Sequence, residues 1–383
     1  MENVADYQEI VEIIKSSGGE AFKRCFQCGL CDVVCPWNRV RRFSMRKIVR
    51  QAAFGMTEIE SEDIWLCTTC GSCPTHCPRD VRQVESGMAL RRIATEYGVF
   101  PDTASPIPGV SASLTAEGNP LNEKRGRRAD WADGLGLESF SEEMEILLFP
   151  GCYPSYDPRL KKSARAAVDI LKAAGVFFGT LGVEESCCGE SIRKTGDEAL
   201  FKRLAKANIK TFIDHGVKKI LVLSPHCLHT FKNEYADFMV HFEIVHITQY
   251  LAELIQVGRL KIKRCLDRRI TWHDPCYLGR HNGIYAAPRA VLTHISNKAP
   301  AEMPDAFENS LCCGGGGGRI WMETPRGERF ADIRLEQALG TGADVLVTAC
   351  PYCITNFEES RLTLGIGEKL AVKDITEVVR AVI

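Results

Sequence analysis

Apolar residues recur along this chain with two different periods. Near the N-terminus Val4, Ile10, Val11, Ile13 and Ile14 fall close to helical spacing, the mark of a helix with one buried stripe. Ser44–Phe54 and Val81–Tyr97 also read as helices, each downstream of a Cys-Pro pair. From Glu145 onward the period changes. Short apolar strands are predicted at Ile146–Phe149, Lys219–Leu223, Ile270–Trp272 and Asp344–Val347, with helices at Arg159–Ala174, Glu198–His215 and Thr324–Leu339. Strands alternating with helices imply parallel sheets. Residues 99–144 break both patterns: they are rich in Pro, Gly and Ser and contain Gly118-Asn119-Pro120, which reads as a linker draped over the surface. The expected fold class is α + α/β. A helical domain spans 1–98, a linker 99–144, and two α/β units 145–262 and 263–383.

Two cysteine runs supply the first chemistry. Cys25-Phe-Gln-Cys28-Gly-Leu-Cys31-Asp-Val-Val-Cys35-Pro36 and Cys67-Thr-Thr-Cys70-Gly-Ser-Cys73-Pro-Thr-His-Cys77-Pro78 both read C-x2-C-x2-C-x3-C-P, the spacing of bacterial ferredoxins. Three close thiolates fit three corners of a cubane, and the fourth serves the other cluster. Cys25, Cys28, Cys31 and Cys77 are therefore expected to hold one [4Fe-4S] cluster, and Cys67, Cys70, Cys73 and Cys35 a second. CxxC is also a zinc half-site, but two complete runs with a trailing Pro favour iron–sulfur. Such a chain moves electrons.

The α/β half carries a repeat. Cys152, Cys187-Cys188-Gly189 and Cys227 form one unit; Cys276, Cys312-Cys313-Gly314 and Cys350-Pro-Tyr-Cys353 form the next. Ile247-Thr248-Gln249-Tyr250-Leu251 is echoed by Ile375-Thr376-Glu377-Val378-Val379. Cys152, Cys227, Cys276 and Cys350 follow predicted strands, at the carboxyl edge where open α/β sheets bind ligands. Five thiolates in the second unit exceed the four that zinc or a cubane needs, and adjacent cysteines suit paired irons. Gly314–Gly318 lacks the Lys-Ser/Thr of a phosphate loop; a flexible loop beside a metal is the simpler expectation.

With these motifs in this order, the chain resembles the heterodisulfide reductase family, in the fused D-type arrangement that joins its C-type and B-type modules in one chain. The resemblance implies a noncubane [4Fe-4S] cluster, open to substrate, on Cys276, Cys312, Cys313, Cys350 and Cys353, which would then be the catalytic residues. The first unit departs from the pattern, with Thr230 where CxxC needs its second cysteine. Cys152, Cys187, Cys188 and Cys227 remain, able to hold zinc, a cubane or an altered noncubane cluster. His226 and His229 flank the gap, as ligands, proton carriers or structural side chains. Similar chains work beside flavoproteins that oxidise lactate, glycolate or glycerol phosphate, or with bifurcating flavin subunits.

Composition narrows the setting. The 383 residues are 45% hydrophobic and 25% charged, with net charge −1, which gives no general attraction to nucleic acid or anionic membranes. No apolar run reaches the roughly 20 residues of a membrane span, and Met1–Glu12 is polar and acidic rather than a signal peptide. With eighteen cysteines, this points to metal-bound thiols in the cytoplasm, with any membrane association through a partner. Cys265 is left over and reads as a packed thiol. His273-Asp274 reads as a structural turn. Arg39, Arg41, Arg42, Arg46, Lys47 and Arg50 read as an amphipathic helix face, and Lys124-Arg125-Gly126-Arg127-Arg128 as a solvated face; docking to an acidic partner is the alternative for each.

Two functional readings follow. In one, a flavoprotein, a ferredoxin or another redox subunit feeds electrons through the cubane pair to the C-terminal noncubane cluster, where a disulfide or another acceptor is reduced. In the other, the chain is a non-catalytic relay in a larger oxidoreductase complex. A zinc-stabilised scaffold is a third.

Overall fold

The computed structural model describes residues 3–56 and 58–383, without the side chains of residues 3–7, so the Val4 side chain lies outside the described residues. The N-terminal part is helical, as its period requires. A helix over Asn3–Ile14 buries Ile14 and leaves Ile13 exposed. The helix Met45–Ala53 starts at an N-cap, Ser44, whose hydroxyl accepts from the Lys47 amide, satisfying one of the free amides of the first turn. It buries Met45, Ile48, Val49 and Ala52. The helix Gln83–Glu96 is buried along most of its length.

Two all-parallel sheets follow. The first has strands β1 (Ile146–Phe149), β2 (Phe178–Gly179), β3 (Lys219–Val222) and β4 (Glu243–His246), ordered β2-β1-β3-β4. The second has β5 (Ile270–Trp272), β6 (Val345–Thr348) and β7 (Ala371–Asp374), in that order. A parallel bridge from Thr271 to Ala301 stands where β2 stands in the first sheet. The registers Leu148↔Leu221 and Thr271↔Leu346 run through the two centres. Every residue of β1 and β6 is buried, as expected of central parallel strands covered on both faces.

The units interlock. Helix Ile375–Arg380, which ends the second unit, packs on Lys161–Ala173 of the first, and Ile247–Gln256, which ends the first, packs on Ala286–Ser296 of the second. Thr376 Oγ1 donates to Ser163 O at 3.0 Å, and Arg380 pairs with Asp169 at 2.8 Å. Both exchanged helices start with a capping box, on His246 and on Asp374.

Several expectations need correction. Residues 99–144 are not a draped linker: they include a helix, Ile107–Glu117, and bury Ile107, Leu114, Asn119, Arg128 and Trp131. Trp131 and Leu114 belong to the core of the first sheet. The basic run is not a free solvated face, because Arg125 donates to Ser186 Oγ at 2.8 Å and Arg128 is 1% exposed. Cys265 is exposed rather than packed. The helix predicted from Thr324 begins at Phe330. Arg39 and Arg41 reach across to the second unit, pairing with Asp305 at 2.6 Å and Glu328 at 3.3 Å.

Candidate iron–sulfur centres

All eighteen cysteines are free thiols, and all but Cys265 fall into three groups. In the helical part, Cys25, Cys28, Cys31 and Cys77 line one cavity together with Arg46. Cys35 stands apart from them, its thiol facing Cys70 and Cys67, while Cys73 faces Cys67, Cys70 and Cys35. Cys73 also feels Cys31 of the first run, so the two sets of thiols adjoin. Gly29 and Gly71 occupy the same place in each run, with φ of 83° and 77°, a left-handed turn that glycine adopts without strain.

The second group belongs to the first α/β unit. Cys152, Cys187, Cys188 and Cys227 line one cavity with Gly151, Glu190 and His226. A Cβ on Gly151 would lie 3.3 Å from Cys227 Sγ. Arg128 sets its Nη1 3.6 Å from Cys152 Sγ and pairs with Glu185 at 3.3 Å. Thr230, in place of the absent cysteine, is fully buried and donates its hydroxyl to His226 O at 3.0 Å.

The third group, Cys276, Cys312, Cys313, Cys350 and Cys353, is buried at the carboxyl end of the second sheet. Cys350 caps the helix Pro351–Thr363 and Cys353 lies in its first turn. Cys312 interacts with Cys276 on one side and Cys70 of the ferredoxin-like run on the other. Cys313 interacts with Cys312 and Cys353, and this hydrogen bonding lowers its thiol to about 5. Burial opposes ionisation of Cys350, but Cys353 and His226 outweigh it and bring that thiol down to about 5. His226 therefore reaches from the first unit into the second. Its ring lies 3.0 Å from Glu190 and stacks at 4.2 Å on Tyr277; burial works against its charge, yet Glu190 and Cys350 raise it to about 10. His229 pairs with Glu234 at 3.6 Å. His273 and Asp274 hold a turn: Arg334 Nε donates to His273 Nδ1 at 3.1 Å, and Asp274 pairs with Arg289 at 2.7 Å.

The residues fit iron–sulfur groups on two grounds beyond spacing. Backbone amides point at sulfur: Thr69 N at Cys67 (3.4 Å), Gly189 N at Cys187 (3.4 Å) and Gly314 N at Cys312 (3.3 Å). Such bonds favour thiolate over thiol. Buried arginines also face the sulfurs. Arg91 feels Cys67, Arg280 feels Cys70, Cys276 and Cys312, and Arg334 feels Cys353. A buried cation needs compensating charge nearby, and thiolate-held clusters supply it. Among the described residues no three His, Cys, Asp or Glu side chains converge as tightly as a single metal ion requires; the thiols meet as chains of neighbours instead.

The glycine run reverses its sequence reading. A Cβ on Gly316 would lie 2.4 Å from Thr68 O, on Gly317 2.5 Å from Cys67 O, and on Gly318 2.4 Å from Thr195 Cγ2. The run is a tight seat for the Cys67–Cys70 loop, not a flexible one. Tyr277 and His281 complete that seat, with Tyr277 hydroxyl 2.9 Å from Thr69 Oγ1 and His281 Nε2 2.9 Å from Thr69 O. Arg91 escaped the sequence reading because a lone arginine carries no motif, and Arg128 was read only as part of a solvated basic run.

Comparison with known proteins agrees with this layout. A model described as a 4Fe-4S dicluster domain matches residues 21–81, and one described as a cysteine-rich domain matches twice, at 146–232 and 270–358. The D-type subunit of the dihydromethanophenazine:CoB–CoM heterodisulfide reductase of Methanosarcina barkeri is 31% identical over 387 residues, covering 93% of this chain and 92% of that protein. The chain belongs to the D-type family of heterodisulfide reductase subunits. The Methanosarcina mazei protein of the same name is 30% identical, at 93% and 92% coverage. The EtfAB:quinone oxidoreductase of Syntrophomonas wolfei is 36% identical over 335 residues, covering 84% of this chain. The chain spans about half the length of several curated relatives it matches, 46% in that case. It is an iron–sulfur electron-transfer protein of the oxidoreductase type, carrying 4Fe-4S and cysteine-rich modules. No helix among the described residues is long and apolar enough to cross a membrane.

Proposed function

We propose that this protein carries electrons from a flavoprotein or ferredoxin partner, through two cubane clusters, to a noncubane [4Fe-4S] cluster in the second α/β unit, where a disulfide is reduced. Cys25, Cys28, Cys31 and Cys77 would hold the entry cluster, and Cys35, Cys67, Cys70 and Cys73 the next. Cys276, Cys312, Cys313, Cys350 and Cys353 would hold the last. The observation that carries this reading is the interaction of Cys70 with Cys312, neighbouring thiols of the second ferredoxin-like run and the C-terminal group, with Cys312 Sγ 3.8 Å from Thr68 Oγ1 of that run. The bound clusters supply one-electron transfer with little ligand movement. The chain's own residues do the rest: Arg91 and Arg280 offset negative charge at the join, the glycine seat excludes water from it, and His226 holds a proton beside Cys350. Cys152, Cys187, Cys188 and Cys227 would hold a further iron–sulfur cluster rather than the single zinc ion that their spacing alone also allowed. Such a protein works in the cytoplasm, with a partner as its route to a membrane.

Replacing Cys313 with Ala tests this. Electron paramagnetic resonance of the anaerobic holoprotein should lose the C-terminal signal and keep both cubane signals. Loss of all three signals from a folded protein would refute the partition of ligands. A second reading, a relay without its own substrate, is favoured by Thr230 at the missing ligand position. It predicts that reduced holoprotein forms no thiol from a supplied disulfide. A quinone, the acceptor in the name of the Syntrophomonas relative, is the corresponding terminal acceptor in a longer assembly.

A further inference from the structure

A cavity of about 500 Å³ opens beside Cys313, walled by Trp37 from the ferredoxin-like part and by Arg319, Arg329, Phe330 and Asn356 of the second unit. Its size lies within the range of small-molecule sites. Trp37 and Phe330 meet edge to face at 4.7 Å, and Asn356 Nδ2 donates to Cys313 O at 2.9 Å, so the floor is tied to the thiol group.

Among the described residues, two arginines of this wall have buried N–H groups with no partner. Four arginines are buried almost completely: Arg91, Arg128, Arg319 and Arg334. Three have a cysteine among the charges acting on them: Cys67 for Arg91, Cys152 for Arg128 and Cys353 for Arg334. Arg319 does not. It is 4% exposed, its Nη2 donates to Glu323 O (2.9 Å) and Thr324 Oγ1 (2.8 Å), and its Nη1 contacts Met322 Sδ (3.4 Å). Among the described residues its Nε has no partner, nor does the buried Nη1 of Arg329. The carboxylates in the wall are already engaged, Glu328 with Arg41 at 3.3 Å and Glu359 with Arg329 at 2.7 Å, and Glu323 is exposed. Glu62 and Glu328 act on the Arg319 charge from nearby and its guanidinium lies 5.5 Å over the Trp37 ring, but among the described residues no carboxylate hydrogen-bonds it. A buried N–H without a partner is costly, and Arg is the side chain best shaped to grip a carboxylate.

We infer that this cavity binds a small organic carboxylate with a flat apolar body, the head on Arg319 and Arg329 and the body against the wall that Trp37 and Phe330 form. The site stands apart from the electron path proposed above and shares with it only Cys313.

The test is equilibrium binding of 2-naphthoate to anaerobic holoprotein by titration calorimetry, with neutral 2-naphthamide as the matched probe. Wild type should bind the naphthoate at least about tenfold more tightly than the amide. Arg319→Gln should weaken naphthoate binding by about tenfold or more and leave amide binding unchanged, whereas Arg319→Lys should retain most of the preference. Retained cluster spectra in each variant separate loss of the ligand site from loss of the centres. If Arg319→Gln does not fold, the acid–amide comparison in wild type decides alone. Equal affinity for the two probes, unaltered naphthoate binding in a folded Arg319→Gln, or no naphthoate binding at millimolar concentration would overturn the assignment.

Discussion

Arg91 is the residue at which all three parts of the chain meet, and replacing it with Met should uncouple them. Its side chain is 1% exposed. It donates to Ile64 O at 2.7 Å and Cys67 O at 2.7 Å in the ferredoxin-like part, to Lys194 O at 3.0 Å in the first unit, and to Gly317 O at 2.8 Å in the second. Methionine keeps an aliphatic stem but removes every donor and the guanidinium that lies 5.4 Å over the Trp65 ring. A hydrogen bond from a charged group contributes about 1.5–3 kcal/mol. Four bonds from one side chain are not independent. Burial also disfavours the guanidinium charge, lowering its pKa, so its removal returns part of the loss. The net destabilisation should be about 3–5 kcal/mol, the range found when a buried charged partner is deleted. Anaerobic urea unfolding of the holoprotein, followed by tryptophan fluorescence and cluster absorbance, should show a large fall in midpoint. Arg91→Lys, with a single donor group that cannot span the three segments, should fall between. Rapid-mixing reduction should also show the C-terminal centre filling more slowly behind the ferredoxin-like pair. An Arg91→Met midpoint equal to that of wild type would refute the claim that this side chain joins the three parts.

Two further substitutions probe the same physics elsewhere. Gly317→Ala forces a Cβ to within 2.5 Å of Cys67 O at φ +63°, which should cost about 2–5 kcal/mol from left-handed strain and overpacking together; Gly327→Ala, at φ +83° in open space, should show only the strain, so equal urea midpoints for the two would rule the tight seat out. Burial raises the Asp374 carboxyl from 3.8 to about 7. The folded chain therefore holds this proton more tightly than the unfolded chain, and stability falls as pH rises from about 4 through 7. Asp374→Asn, which keeps a cap acceptor, should match wild type near pH 4 and exceed it by up to about 4 kcal/mol above pH 8; a pH-independent difference in urea midpoint would contradict this.

The cysteine groups were legible in the sequence because thiol spacing is a local code, and several strands because apolar runs such as Ile146–Phe149 and Ile270–Trp272 are short, dense and bounded. What stayed hidden was non-local. Strand β2 is two residues long, and β7 carries Lys373 and Asp374, so neither has a periodic signal. The segment 99–144 looked like a linker because Pro and Gly interrupt it, yet Trp131 and Leu114 fill space on the first sheet, and only packing reveals that. The exchanged helices showed in the sequence as an echo between Ile247 and Ile375, but the echo does not say which unit each helix covers.

The glycine run shows how the two halves of the chain specify one another. Taken alone, five successive glycines argue for freedom, since glycine has the most conformational entropy to lose. Against the Cys67–Cys70 loop the same residues are the ones that let backbone meet backbone, with Thr68 O and Cys67 O standing where side chains would be. The first unit offers no such seat: Gly189 follows Cys187-Cys188, but Glu190 and Ser191 begin a helix at once. Only the second unit can bring its paired cysteines against a ferredoxin-like thiol, as Cys312 meets Cys70. The asymmetry of the repeat therefore extends beyond the substitution of Thr230. The unit that kept five thiols is also the one built to receive the loop, and a chain in which that loop were seated on the first unit would need its glycines there.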